Sequence, residues 1–232
     1  NVFSQTGEDG VIAHIFRVIG FQSCFAVEFG AWDGIHLSNI RNLILEHDVS
    51  ALFIEGDSDK ANDGIRNYEA FPKVKFAKEY VGVNKYRKLD DILHSNDVPE
   101  NIDILSIDID GWDYWVWDSL EDFRPRIVIV EFNATIYRDW TVISPSDEET
   151  RTGSSARAIV ELGVRKGYEL LCIVGANLIF CVREEFHKFG NYDNSLEALW
   201  PSSGLGSLFS TYNGDVYGDP WKRNGKGVLR PI

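Results

Sequence analysis

Methionine is absent from this chain of 232 residues, and cysteine and basic residues are scarce. Cys24, Cys172 and Cys181 are the only cysteines. Their odd count and wide spacing exclude a disulfide framework and a zinc site. Cys24 and Cys181 sit in apolar runs and are expected to be core thiols. A reducing, cytoplasmic compartment is expected in consequence. No apolar stretch is long enough to span a membrane, and the N-terminus lacks the pattern of a signal peptide. Lys and Arg number 23 against 36 Asp and Glu, a net charge of −13. That balance argues against a nucleic-acid backbone or an anionic membrane as main partner. It suits a cationic ligand, a metal or plain surface solubility. A start at Asn1 without any methionine leads us to expect a trimmed segment of a longer, multidomain chain.

What is present is ordinary for a soluble globular protein: 44% hydrophobic and 25% charged residues. The length suits one large α/β domain, or one domain with an appendage. Val11, Ile12, Ile15, Phe16 and Ile19 recur at helical spacing and predict a helix over Glu8 to Ile19. Short apolar runs at 24–29, 51–54, 74–80, 102–109 and 127–132 read as strands. Helices are expected between them at 39–46 (with Ser38 as N-cap), 60–71, 86–94 and 115–120. A polar stretch, 141–152, reads as a loop or lid, and 154–165 as a helix. Residues 168–174 and 178–182 are separated only by "GAN", which forces an antiparallel hairpin. The pattern implies a mostly parallel, seven-stranded sheet with a C-terminal antiparallel hairpin strand and right-handed crossovers. After residue 183 the composition shifts toward Gly, Asn, Tyr and Trp, so 184–232 is expected to be an appendage or cap on a domain spanning 1–183.

Ligands of open α/β sheets bind beyond the carboxyl ends of the strands. Acids stand at four such ends: Glu28, Glu55, the pair Asp108 and Asp110, and Glu131. Any one alone reads as a cap or loop carboxylate. Together they repel one another and call for a positive ligand, a polyol or a metal. In "VEFGAWDG", Gly30 and Gly34 flank a turn that lets a ligand approach the backbone. The loop is not a G-x-G-x-x-G motif and holds no basic residue, so Glu28 and Asp33 would repel a pyrophosphate. S-adenosylmethionine, with its sulfonium, ammonium and ribose diol, fits better, and Glu55 is placed to accept from the diol. Asp108 and Asp110 are two apart and are expected to share one side of an extended strand. Glu131 and Asn133 should lie beside them, giving oxygen ligands for Mg²⁺, Mn²⁺ or Ca²⁺. Capping of the next helix by Asp110 and Asp113 is the competing reading. Tyr114, Trp115 and Trp117 read mainly as core. Trp112, in the turn, is a better candidate for ligand contact, and His36 is a weaker one.

The series "SQTGEDG", "VEFGAWDG", "LFIEGD", "LSIDIDGWDYWVW", "IVIVEFN", the helix after "GSSA" and "ANLIFCV" resembles the FkbM-like methyltransferases over roughly residues 3–183. The resemblance implies a Rossmann-like class I methyltransferase fold with helices on both faces. It also implies S-adenosylmethionine as cofactor and O-methylation of a small-molecule or glycan hydroxyl. Carried over by position, it makes Glu28, Gly30, Trp32, Asp33 and Asn39 cofactor residues. Glu55 and Asp57 become the ribose and adenine segment, and Gln5 in the N-terminal motif joins them. "SIDIDG" is also similar to metal-dependent sugar O-methyltransferases. That likeness makes Asp108 a metal ligand that also borders the cofactor, and Asp110 the catalytic base. Glu131 and Asn133 stand where those enzymes carry paired aspartates, a departure that leaves dependence on Mg²⁺ or Mn²⁺ open. Two other readings are kept: an NAD-type oxidoreductase on a similar sheet, and a catalytically idle cofactor-binding module of a larger glycan-modifying protein.

Overall fold

The structure is a computed structural model that describes residues 2–147 and 151–201, with the backbone alone of 208–210 and 216–218. In chain order the elements are α1 (Glu8–Ile19), β1 (Phe25–Phe29), α2 (Arg41–His47), β2 (Ser50–Ile54), α3 (Ser58–Asn67) and β3 (Val74–Ala77). There follow α4 (Leu89–Ser95), β4 (Ile104–Ile107), α5 (Asp113–Ser119), β5 (Ile127–Glu131), α6 (Ala156–Arg165), β6 (Tyr168–Val174) and β7 (Asn177–Val182). Short helices α7 (Arg183–Phe186) and α8 (Leu196–Leu199) come next, then a two-stranded ribbon of β8 (Leu208–Ser210) and β9 (Val216–Gly218).

The main sheet has the order β3-β2-β1-β4-β5-β7-β6. All neighbours are parallel up to β5, and β7 runs antiparallel to both β5 and β6. The predicted seven-stranded sheet with its closing hairpin is therefore present. Alternation along the strands sorts side chains into two apolar layers. Val27, Phe29, Leu52 and Ile54 face one layer with Leu89, Ile92, Trp117, Ile159 and Leu162 from α4, α5 and α6. Ala26, Ala51 and Phe53 face the other, with Ile12, Ile15, Phe16 and Leu43 from α1 and α2. Helix α1 has the predicted limits because its apolar stripe is continuous and glycines bracket it. Gly7 is left-handed at one end, and the Gly20 amide donates to the Phe16 carbonyl at the other, at 2.8 Å. The chain ahead of α1 wraps onto Asp9, whose Oδ2 accepts from the amides of Val2 and Phe3 at 2.7 Å each.

Several boundaries move for local reasons. Helix α3 starts earlier than expected because Asp57 caps it, accepting from Asp59 and Lys60 amides at 2.9 and 3.0 Å. Ile40, not Ser38, occupies the N-cap of α2; the Ser38 hydroxyl accepts from the Arg41 amide at 3.2 Å and donates to Glu28 at 2.6 Å. Helix α4 starts at Leu89 because Val81 and Arg87 form a β-bridge ahead of it. Cys24 is exposed, contrary to its reading as a core thiol. It sits ahead of β1 with a left-handed φ of 52°, while Cys181 in β7 is buried as expected. Strand β4 ends at Ile107, so Asp108 and Asp110 do not share one side of an extended strand. Asp113 accepts from the Ile109 and Gly111 amides, both at 3.0 Å, and curls the chain into a turn with Asp110 left-handed at φ 56°.

At the amino end of the sheet a buried ion cluster ties five segments together. Arg126 pairs with Asp103 at 2.7 Å and Glu185 at 2.8 Å, and donates to the carbonyls of Ile19 and Gly20. Asp103 also accepts from the amides of Gln22, Ser23 and Cys24. Glu185 and the core residue Leu196 lie past residue 183, so the described part of the 184–232 segment packs on the main body. The role expected of that segment as a cap rests mostly on residues outside the described ones. No helix among the described residues is long and apolar enough to cross a membrane. Arg126→Met should leave two buried carboxylates without their cation and lower stability by about 3–5 kcal/mol. Urea unfolding of the variant against wild type measures this, and a loss within ordinary surface values would rule the cluster out as a keystone.

Candidate active site

The sheet reverses direction of winding between β1 and β4, the point at which a crevice opens at the carboxyl edge. Two cavities lie there. The first, about 390 Å³, runs from Glu55 past Gly30 to Asp108 and Asp110. The second, about 280 Å³, lies over the end of β5 and is lined by Asp110, Asp113, Glu131 and Asn133. Gly30 brings the two central strand ends into contact. Its φ is 71°, and a Cβ there would stand 1.7 Å from the Asp108 carbonyl oxygen. Only glycine permits that approach.

Glu28 points from β1 into a buried polar knot. Its carboxylate accepts from the Ser38 hydroxyl and, at 2.8 Å, the Asn39 amide, while the Asn39 side chain donates to Ser106 at 3.0 Å. Burial, outweighing those bonds and helped by the charge of Asp108, pushes Glu28 up to about 7. Asp113, fully buried under the turn, is likewise pushed up to about 7, by burial first and Asp108 second.

The expected neighbourhood of Asp108, Asp110 and Glu131 exists, although the strand geometry proposed for it does not. Parallel pairing sets Ile107 beside Val130, so the next residues on each strand, Asp108 and Glu131, meet. One oxygen from each of the three acids lies within 4.8 Å of the others. Burial and the neighbouring Asp110 charge raise Asp108 to about 6. Burial and the Asp108, Asp113 and Asp110 charges raise Glu131 to about 8. Glu131 and Asp108 are hydrogen-bonded to each other, and the crowding drives the pair toward sharing a proton. Asn133 lines the second cavity, but its amide oxygen accepts from the Thr135 amide and hydroxyl at 2.9 and 2.6 Å.

The remaining expected residues divide into those that line the first cavity and those that build it. Glu55 and Trp32 line it, and Glu55 accepts from the Trp32 and Asp57 amides at 2.7 Å each. Trp32 is 48% exposed, with the Lys60 ammonium 4.3 Å from its ring centroid. Asp33 holds the loop by accepting from the Ile35 and His36 amides, and Asp57 caps α3; neither lines the cavity. Gln5 and Asn39 do not line it either. A bridge between Ser4 and Leu37 does bring the N-terminal motif against the cavity wall. His36 and Trp112 both line the first cavity.

Tyr80, Glu79 and Arg151 are among the lining residues that escaped the sequence reading. Tyr80 lies over Gly56, where an added Cβ would come within 2.2 Å of its ring, and Tyr86 and Trp112 continue the row. "EGD" after β2 was the available signal, since that glycine leaves room for a ring. Arg151 lines both cavities, and its guanidinium carbon is 5.5 Å from the Trp112 ring centroid. Nothing local in the polar 141–152 loop marked it. Buried hydroxyls pin that loop: Ser144 donates to the Gly111 carbonyl at 2.9 Å and meets Ser154. Trp115 and Trp112 donate to its carbonyls at Ser144 and Asp147.

The methyltransferase FkbM domain model matches residues 34–170 of this chain. Among solved structures, the N-terminal domain of EvdMO1 in the presence of SAH and D-fucose is similar at TM-score 0.50 and 10% identity. That match covers 77% of this chain and 83% of that one. A putative O-methyltransferase from Klebsiella pneumoniae is similar at TM-score 0.47 and 17% identity, over 77% and 80%. At these identities the likeness is one of fold. No curated protein matches the sequence.

Glu28, Asp108, Asp113 and Glu131 all hold protons to higher pH in the folded state than the ordinary 4.5 or 3.8 of unfolded carboxyls. Folding therefore takes up protons as pH rises, and their contribution to stability is lost from about pH 4 to about pH 8. Urea midpoints should fall between about pH 5 and about pH 8. Glu131→Gln, neutral throughout, should flatten the upper part of the fall; an unchanged slope would exclude Glu131 as its source.

Proposed function

This chain belongs to the methyltransferase FkbM domain family, and on that premise we propose that it is an S-adenosylmethionine-dependent O-methyltransferase of a sugar or glycan hydroxyl. The carrying observation is that Asp110 lines both cavities, at their junction. A base that takes a hydroxyl proton while a methyl group arrives belongs at such a junction. In this reading the cofactor fills the first cavity, with its ribose diol on Glu55 and its cationic end near Glu28 and Asp108. The acceptor fills the second, whose acids and amide suit a hydroxyl-rich molecule. Bound there, S-adenosylmethionine would supply the methyl group and leave as a neutral sulfide, and Asp110 would take the proton that the acceptor hydroxyl loses. Holding both partners in line supplies much of the rate. A pyrophosphate cofactor fits poorly among five lining acids, so the NAD-type reading is not pursued.

Asp108 and Glu131, with Asp110 in reach, form a hard oxygen donor set that fits a divalent ion. Burial and mutual repulsion raise the pKa of two of the three, a cost that a cation would relieve. Mg²⁺ or Mn²⁺ bound there would lower the pKa of a hydroxyl in contact with it. Asn133 is a poorer ligand because Thr135 occupies its oxygen. The cytoplasmic compartment stays part of this proposal.

Asp110→Asn should abolish methyl transfer to sugar acceptors and leave S-adenosylhomocysteine affinity nearly intact. Calorimetry and a methyl-transfer assay measure the two separately; unchanged turnover would remove Asp110 as base, and an inactive wild type would favour an idle module. Mn²⁺ should be retained by wild type on equilibrium dialysis and lost by Asp108→Asn. No retention by wild type takes the metal out of the proposal.

A further inference from the structure

Five acids line the first cavity: Glu28, Glu55, Glu79, Asp108 and Asp110. Asp110, Asp113 and Glu131 line the second. Such walls repel an anion. Yet each cavity contains one strong cation, and it is the same one. Among the described residues Arg151 is the only Lys or Arg lining either cavity, and it shares with Asp110 alone the position of lining both.

The placement of Arg151 is built. Its guanidinium lies against the face of Trp112, which is 6% exposed. Trp112 is itself anchored through its indole N–H to the Asp147 carbonyl at 3.2 Å. A guanidinium held over a ring loses less freedom on meeting a planar or trigonal anion than a free one and offers it paired donors. The side on which it lies decides the client. Glu55 and Trp32 sit toward β2, whereas Arg151 borders the cavity over β5, with Glu131 and Asn133. A cofactor lying from Glu55 to Asp110 leaves Arg151 facing the acceptor.

We propose that Arg151 is a specificity-determining residue that binds an anionic group of the acceptor, the carboxylate of a uronic acid or the phosphate of a sugar phosphate. The inference rests on the methyl-transfer reading of the same site. The acids around Arg151 raise the cost of an anion anywhere else in the cavity, so one cation fixes which end of the acceptor enters and which hydroxyl reaches Asp110.

The test is calorimetric titration of wild type and Arg151→Gln, each with and without S-adenosylhomocysteine, using D-glucuronate, D-glucose 1-phosphate and D-glucose. Wild type should bind at least one anionic sugar on the order of ten- to a hundred-fold more tightly than glucose, a span ordinary for a charge-assisted pair. Whichever anion binds more tightly identifies its source. Arg151→Gln should lose that preference and keep S-adenosylhomocysteine affinity, and Arg151→Lys should recover it in part. Equal affinity for the three sugars, or no binding of either anionic one, overturns the proposal. So does a tenfold loss of S-adenosylhomocysteine affinity in Arg151→Gln, which would assign the arginine to the cofactor's own carboxylate. Failure of wild type to bind S-adenosylhomocysteine counts against the methyl-transfer reading instead; the anion preference is then read on the free protein. Arg151 is exposed, and an unchanged thermal midpoint shows that the variant is folded.

Discussion

Three carboxylates with oxygens inside 4.8 Å of one another cannot all carry charge in a half-buried crevice. That constraint organises the carboxyl edge of this protein. The register of β4 against β5 creates the crowding, and Asp113 maintains it by holding the turn that swings Asp110 around. Gly30, pressed onto the Asp108 carbonyl, closes the β1 loop against the same point. The result is a site whose Asp108–Glu131 pair holds protons more strongly than ordinary carboxyls and that has capacity for cationic and hydroxyl-bearing ligands.

The amino edge of the same sheet shows the opposite solution to the same problem. Asp103 and Glu185 are also buried acids, but Arg126 lies between them, and backbone amides occupy the free lone pairs of Asp103. There the charges are satisfied, and they cross-link the helix, strand and terminal segments. At the carboxyl edge no arginine among the described residues fills the equivalent place. Arg151 instead stands at the cavity junction, over the Trp112 ring. Compensation at one end serves folding; its incompleteness at the other leaves an arrangement open to a ligand.

Much of the architecture was legible because it rests on short-range rules. The apolar stripe of α1, the alternating strands and the short hairpin connection carry their own signals, and each element from α1 to β7 lies close to its predicted place. The errors fall where a distant partner overrules a local preference. Ser38 accepts from the Arg41 amide as a cap would, but its hydroxyl is also bound to Glu28 and α2 begins later than expected. Cys24 looks like core, yet its amide is bound to Asp103 and its side chain is exposed. Asp110 looks like part of a strand and is turned out of it by Asp113.

The acids at four strand ends, the glycine turn without basic residues and the run of family motifs were determined by the sequence alone, because residue type and spacing carry them. Which of those acids touch and which only brace a loop were decided by the tertiary structure. Asp33, Asp57 and Asn39 brace; Asp108, Asp110 and Glu131 converge. The physical reason is strand register: it brings residues more than twenty positions apart within a few ångströms, and a pKa depends on that distance and on burial. Arg151 is the extreme case, since only the folding of its loop over Trp112 sets its charge between the two cavities.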